Sequence, residues 1–303
     1  MIDLRQLRHF LAVADTLHFG RAAERLGMTQ PPLSQSIMAL ERTLGADLFV
    51  RSKRSVGLTA FGRQWAEHVR PAVEIIDVLP GIAERLRTGA GGRLSLAFVS
   101  TADYSVLPDL VERYSSAFPD VELELVEATT DIQVDALLSG RVHAGILISA
   151  RSALPSALAY RPLLNEPLIA ALPEAWIDDG SLNLADGLLH GDDWMARPLI
   201  IFPARVAPDF HDLVMSFYRS RGYQPSVRQE AIQMQTIISL VSAGLGMALV
   251  PASLRHLART GVRYIALAGK APELETGLAW RSADDSPTLA AMLDVIFTDR
   301  RHP

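Results

Sequence analysis

The sequence predicts an α/β protein with an all-α head. A small helical N-terminal domain carries a two-stranded wing, a long helix follows, and a larger body is built from two α/β subdomains. Three observations predict it. Apolar residues recur at helical spacing through residues 1–60, a heptad-like apolar repeat runs from Trp65 to Leu86, and from residue 93 short apolar strands alternate with helical stretches. A chain of 303 residues is also longer than one core usually serves.

Composition narrows the class. A hydrophobic fraction of 49% suits a folded globular chain. There is no cysteine, which rules out disulfides and thiolate zinc sites. The opening "MIDLRQLRHFLAVADTLHF" has no apolar core of a secretory signal, and no charge-free apolar run reaches about 18 residues. A soluble cytoplasmic protein with no membrane partner is expected. The net charge of −5 is unevenly spread: residues 1–60 hold eight basic and five acidic side chains, an excess of three, so the remainder carries −8. A basic head on an acidic body points to a polyanion as partner of the head alone.

In the head, Leu4, Leu7, Phe10, Leu11 and Ala14 form one helical stripe, and "GRAAERL" (20–26) is a short second helix ended by Gly27. Thr29 is a candidate N-cap for a third helix, whose first turn accepts Pro31 and Pro32 because its N–H groups lack intrahelical partners. Leu33, Ile37, Leu40 and Leu44 form the buried stripe, while Gln30, Ser34, Gln35 and Met38 lie off it. Helix, tight turn and helix with a polar outer face make a helix-turn-helix pattern, and Gln and Ser are side chains suited to base edges. "LFVRSKRSVGLT" (48–59) reads as a hairpin with Arg51, Lys53 and Arg54 at its tip, where cations would meet phosphates.

The segment over residues 2–62, with "FGRAAERL", "TQPPLSQSI", "LE..LG..LF.R" and "LT..G", resembles the winged helix-turn-helix of the LysR-type transcriptional regulators. The resemblance implies double-stranded promoter DNA as partner. It implies DNA contacts from Thr29, Gln30, Pro31, Pro32, Ser34, Gln35 and Met38, and from the wing residues Arg51, Lys53 and Arg54. Many family members carry Arg where this chain has Gln35, which shifts the expected base contact from guanine toward adenine.

Thr59 can cap the next helix, which extends to about residue 88. Trp65, Val69, Ala72, Ile76, Leu79, Ala83 and Leu86 then recur at alternating spacings of four and three, a seam that asks for a partner helix. Pro71 and Pro80 are expected to kink it. Gly89, Gly91 and Gly92 read as a flexible hinge. A dimer or tetramer is expected, since two recognition helices read a pseudo-palindrome that one cannot.

From residue 93, strands "RLSLAFV", "VELELVE", "VHAGILI", "LIIF", "GMALVP" and "LAWR" alternate with helices, which argues for parallel sheets with helical crossovers. This part resembles the effector-binding module of the same family, itself similar to periplasmic binding proteins. Two subdomains joined by crossings near 162–168 and 263–269 are implied. The expected division is 2–59 for the winged head, 60–88 for the linking helix, 93–161 with 270–303 for subdomain I, and 162–269 for subdomain II. The ligand cleft would lie at strand ends, near Ser100, Thr101, Thr129 and Thr130, and near Phe202, Pro203, Ala204 and Arg205. Hydroxyls and helix N-termini there favour a carboxylate, although plain N-capping is the better explanation of any single Ser or Thr.

"EATTDIQVDALLSGRVHAGI", "LIIFPARVAPDF" and "EAIQMQTIISLVSAGLGMALVPAS" resemble the branch that senses aromatic acids and muconates, although Ser149 follows Ile148 where that branch often has a nearby Arg. RNA polymerase is the further partner implied. An enzyme or a transport-binding protein is the rival reading. No H-E-x-x-H, G-x-S-x-G or phosphate loop appears, and the eight histidines are dispersed. Neither a catalytic residue, a metal nor a cofactor is expected.

Overall fold

The computed structural model describes residues 2–52, 55–148, 154–180 and 182–298. The chain forms two compact units that meet between Glu84 and Arg85.

The first unit begins with α1 (Leu4–Thr16), α2 (Phe19–Arg25) and α3 (Gln30–Leu44). Asp3 starts α1 with a reciprocal capping box: its carboxylate accepts from Arg5 N at 3.0 Å, and Gln6 Oε1 accepts from Asp3 N at 3.1 Å. His18 caps α2, its Nδ1 accepting from Arg21 N at 3.2 Å. Strands β1 (Phe49–Arg51) and β2 (Val56–Leu58) pair antiparallel as the wing. The core joins Phe10, Val13, Ala22, Leu33, Ile37, Leu40, Leu48 and Phe49, with the Phe10 and Phe49 rings 5.6 Å apart.

Helix α4 (Ala60–Thr88) is continuous and holds Pro71 and Pro80 within it. At 1.5 Å per residue it is about 43 Å long. Its predicted seam divides in two. Val69 and Val73 are buried in the core of the head, and Trp65 packs against that core. The rest of the seam, Ala72, Ile76, Leu79, Ala83 and Leu86, stays exposed, with the exposed Ile75 and Ile82 in the same stretch.

The second unit contains β3 (Gly92–Phe98), α5 (Leu107–Ala117), β4 (Val121–Glu127), α6 (Thr130–Leu138) and β5 (Ala144–Ile148). The long β6 (Leu158–Pro173), α7 (Ala175–Asp178), β7 (Leu184–Ala185), β8 (Leu188–Leu189) and β9 (Leu199–Ile201) follow. Then come α8 (Pro208–Ser220), β10 (Val227–Glu230), α9 (Met234–Ser242), β11 (Ala248–Pro251), β12 (Val262–Leu267), β13 (Glu273–Arg281) and α10 (Pro287–Thr298). The main sheet has the order β4-β3-β5-β13-β6-β12-β8-β7, with β11 also on β6.

The sheet is mixed, so the parallel pairing read from strand–helix alternation holds for only part of it. β3 pairs parallel with β4 and β5, but β13 runs antiparallel to β5 and β6, and β11 and β12 run antiparallel to β6. β6 changes partners within its length, pairing with β13 through Pro167 and with β11 and β12 from Leu168. The chain returns between Leu267 and Glu273, slightly beyond the expected 263–269.

The glycine-rich stretch after α4 is packed rather than free. A Cβ on Gly89, whose φ is +74°, would stand 2.2 Å from the Pro287 carbonyl oxygen, and Gly91 N donates to Arg85 O at 3.1 Å. Glycine serves close approach here, not looseness.

Candidate functional site

The third helix of the head presents two chemically distinct faces. Leu33, Ile37 and Leu40 are fully buried. Thr29, Gln30, Pro31, Pro32, Gln35 and Met38 are exposed, and Ser34 is half-buried beside them. Thr29 occupies the N-cap position, but its side chain makes no capping bond, contrary to expectation. The prolines fall in the first turn, where no intrahelical donor is lost. Ser36, on the inner side, is held by His9 Nδ1 at 2.8 Å. Burial beside the Arg5 charge lowers the His9 pKa, so the imidazole tends to stay neutral.

The wing is anchored in part by Glu41, which sequence reading quoted without assigning a role. Glu41, near the end of α3, accepts from Leu48 N at 2.9 Å, Phe49 N at 3.3 Å and Arg51 Nη2 at 2.8 Å. Arg51 also lies 5.1 Å from the Phe19 ring centre. Its guanidinium therefore has structural work at the base of the wing, where the sequence suggested only a phosphate contact. Thr59 Oγ1 donates to Asp47 O at 2.7 Å and accepts from Gly62 N at 2.8 Å, so one hydroxyl ties the wing to α4. Lys53 and Arg54 lie outside the described residues.

In the body, strand ends converge on a cavity of about 210 Å³. Ser100, Thr101, Thr129, Thr130 and Phe202, all named from the sequence, line it. Pro203, Ala204 and Arg205 do not. Val206 N and Ala207 N turn back onto Pro203 O at 3.1 and 3.3 Å, leaving Ala204 and Arg205 exposed while Val206 and Ala207 join the wall. Sequence reading missed Val99, Glu127, Ile132, Ile148, Ile232 and Gln233. Their wall comes from separate segments, and the strand-end positions of Glu127 and Ile148 could have signalled part of it.

The plain-capping explanation fails for two of the hydroxyls. Neither Thr101 nor Thr129 makes a side-chain cap bond. Thr129 Oγ1 bonds the Asp131 carboxylate, and Thr130 Oγ1 donates to Ile148 O at 3.3 Å. Thr101 is 4% exposed and its Oγ1 is buried with no partner. An orphaned buried hydroxyl facing a cavity is what a ligand would satisfy. A larger hollow of about 380 Å³ lies beside Tyr104, Glu166 and His256, but these groups are already engaged. Glu166 accepts from Ser253 N and Oγ at 2.6 and 3.0 Å, and His256 Nδ1 lies 3.1 Å from Tyr104 O.

Among the described residues, no three His, Cys, Asp or Glu side chains gather as a metal site, and no helix is long and apolar enough to cross a membrane.

Comparison with known proteins gives a consistent answer. Residues 4–63 match the bacterial regulatory helix-turn-helix protein, lysR family, and residues 87–299 match the LysR substrate binding domain. The HTH-type transcriptional regulator IlvR of Caulobacter vibrioides is 60% identical over 100% of both chains. Full-length CbnR in complex with its target DNA is similar with a TM-score of 0.81 and 26% identity, over 97% of this chain and 98% of that one. The BenM effector binding domain with its effector benzoate gives a TM-score of 0.58 and 25% identity, over 69% of this chain and 91% of that one. The winged head, the α/β body and these matches make the chain a member of the LysR family of DNA-binding transcriptional regulators, whose named relatives are regulators and not enzymes.

Proposed function

We propose that this regulator reads a pseudo-palindromic promoter site as a dimer or a dimer of dimers in the cytoplasm. A small carboxylate in the body's cavity would alter its engagement with DNA and RNA polymerase. The observation that carries the reading is the exposed polar face of α3, which is backed by a fully buried apolar stripe. In this reading residues 2–59 meet DNA and residues 60–88 pair with a second copy. Residues 93–161 with 270–303 and residues 162–269 enclose the ligand. Thr29, Gln30, Ser34, Gln35 and Met38 face base edges, Pro31 and Pro32 shape the helix entry, and Arg51, Lys53 and Arg54 meet phosphates. An aromatic acid is one form of the effector, supported by the likeness to a domain bound to benzoate. The ligand acts only by binding one arrangement of the regulator better than another.

The test is a footprint on the DNA upstream of the protein's own gene, at fixed salt and against unrelated DNA. Two or more protected half-sites spaced by helical turns are expected. In the Ser34→Ala, Gln35→Ala double variant, preference for the operator over unrelated DNA should fall roughly tenfold or more, since a good bidentate base contact is worth about 1–3 kcal/mol. An unchanged preference would assign specificity elsewhere.

Self-association is supported by Ile75, Ile76, Val78, Leu79, Ile82 and Leu86, large apolar side chains exposed along one part of α4. β4 ends the main sheet, and all of β10 is exposed, which offers further surfaces for a tetramer. Leu79→Lys with Ile82→Lys should lower the mass seen by sedimentation and weaken operator binding together. Retention of the parental mass would remove α4 from the interface.

A further inference from the structure

We infer that Ile132 and Ile232 determine the specificity of the cleft. They receive the apolar end of a monocarboxylate whose charged end lies inward at Thr101, and they select against acids charged at both ends. This rests on the carboxylate reading of the cleft above and gives the ligand an orientation and a class.

The wall of the cavity has a buried end and an exposed rim. At the buried end Thr101 is 4% exposed, and its Oγ1 has no hydrogen-bond partner among the described residues. That hydroxyl can donate to a carboxylate oxygen. The other threonine hydroxyls of the wall are committed, Thr129 to Asp131 and Thr130 to Ile148 O. Glu127 and Gln233 belong to the exposed rim. Gln233 Nε2 donates to Glu127 Oε1 at 3.5 Å, a contact between the end of β4 and the N-cap of α9. A ligand carboxylate at the rim would meet the Glu127 carboxylate, a repulsion that it escapes at Thr101.

Ile132 and Ile232 stand on the same rim, 52% and 53% exposed. Ile132 lies in the first turn of α6, and Ile232 directly precedes the N-cap of α9, so the two sides of the cleft supply one each. Single exposed aliphatic side chains are ordinary on a protein surface. Two large ones brought to one cavity from distant segments form an apolar collar that stays wet until an apolar group covers it. Val99, Ile148 and Phe202, all buried, add apolar surface to the same wall. A second carboxylate at the outer end of the ligand would lose hydration against the isoleucines and face Glu127 as well.

Isothermal titration calorimetry on the full-length protein tests the assignment. The probes are butyrate, valerate, hexanoate and adipate, the last equal to hexanoate in carbon count but charged at both ends. Affinity of the parent should rise about fourfold per added methylene, and adipate should bind at least about tenfold more weakly than hexanoate. Ile132→Ala with Ile232→Ala should flatten the rise and narrow the gap to adipate. Butyrate binding should change least, and the melting temperature should stay parental because both side chains are exposed. Thr101→Val should weaken all four acids. If the double alanine variant keeps the parental rise, or if adipate binds as well as hexanoate, the isoleucine assignment is overturned. Weakened binding by Thr101→Val then leaves the carboxylate cleft standing. If none of the acids binds the parent, or if Thr101→Val binds them all as the parent does, both readings fall.

Discussion

Gly62→Val is expected to unfold the head while leaving the body intact. A Cβ at this position would stand 2.1 Å from Leu48 O and 3.0 Å from Leu48 C, both backbone atoms. Leu48 cannot easily retreat. Its side chain is fully buried, and its carbonyl accepts from Thr59 N at 3.0 Å and Thr59 Oγ1 at 3.3 Å. Relief would require α4 to move away, which breaks the bond from Gly62 N to Thr59 Oγ1 and loosens the wing. Overpacking typically costs about 1–3 kcal/mol, and a branched side chain against fixed backbone belongs at or above the top of that range. In a denaturant titration the head transition should shift to lower concentration while the body transition stays. Affinity for operator and unrelated DNA should fall together. Parental melting with parental DNA binding would mean that α4 packs on the wing less tightly than the geometry indicates.

Glu41→Ala should have the next largest effect. The side chain is 11% exposed and serves two backbone N–H groups and Arg51. Loss of a charged acceptor leaves buried donors unpaired, at about 1.5–3 kcal/mol. The wing root loses its tie to α3, so DNA affinity should drop roughly tenfold while the ratio between operator and unrelated DNA changes little. Glu41→Gln, which keeps one oxygen in place, should recover part of the loss. Fluorescence anisotropy at one salt concentration, with the denaturation midpoint measured in parallel, separates affinity from stability. An alanine variant unchanged in both would show that the wing holds without this carboxylate.

These two residues also mark what the sequence could and could not convey. Glu41 and Gly62 were visible as parts of "LE..LG..LF.R" and "LT..G", yet their roles depend on Leu48 and the wing, partners that spacing alone does not identify. The α3 face was legible because one helix fixes which residues point together. The seam of α4 was legible as apolar but not as divided, since periodicity does not say whether Val69 meets a second copy or its own head. At the cleft, strand ends located the hydroxyls. The turn that exposes Arg205 and the convergence that brings Glu127 to the wall arise from backbone closure and long-range pairing.

The change of partners along β6 has a thermodynamic consequence. Both halves of the body hydrogen-bond to this one strand, and a single apolar cluster runs from Leu94 on one side to Leu249 on the other. Losing either half alone would strip part of β6 of its ladder and open that shared cluster to water. The body, although two-lobed in topology, therefore melts as one cooperative unit. Amide hydrogens along β6 exchange only when the whole of it opens. Its stability cannot be divided between the lobes, and a ligand that grips either one protects both.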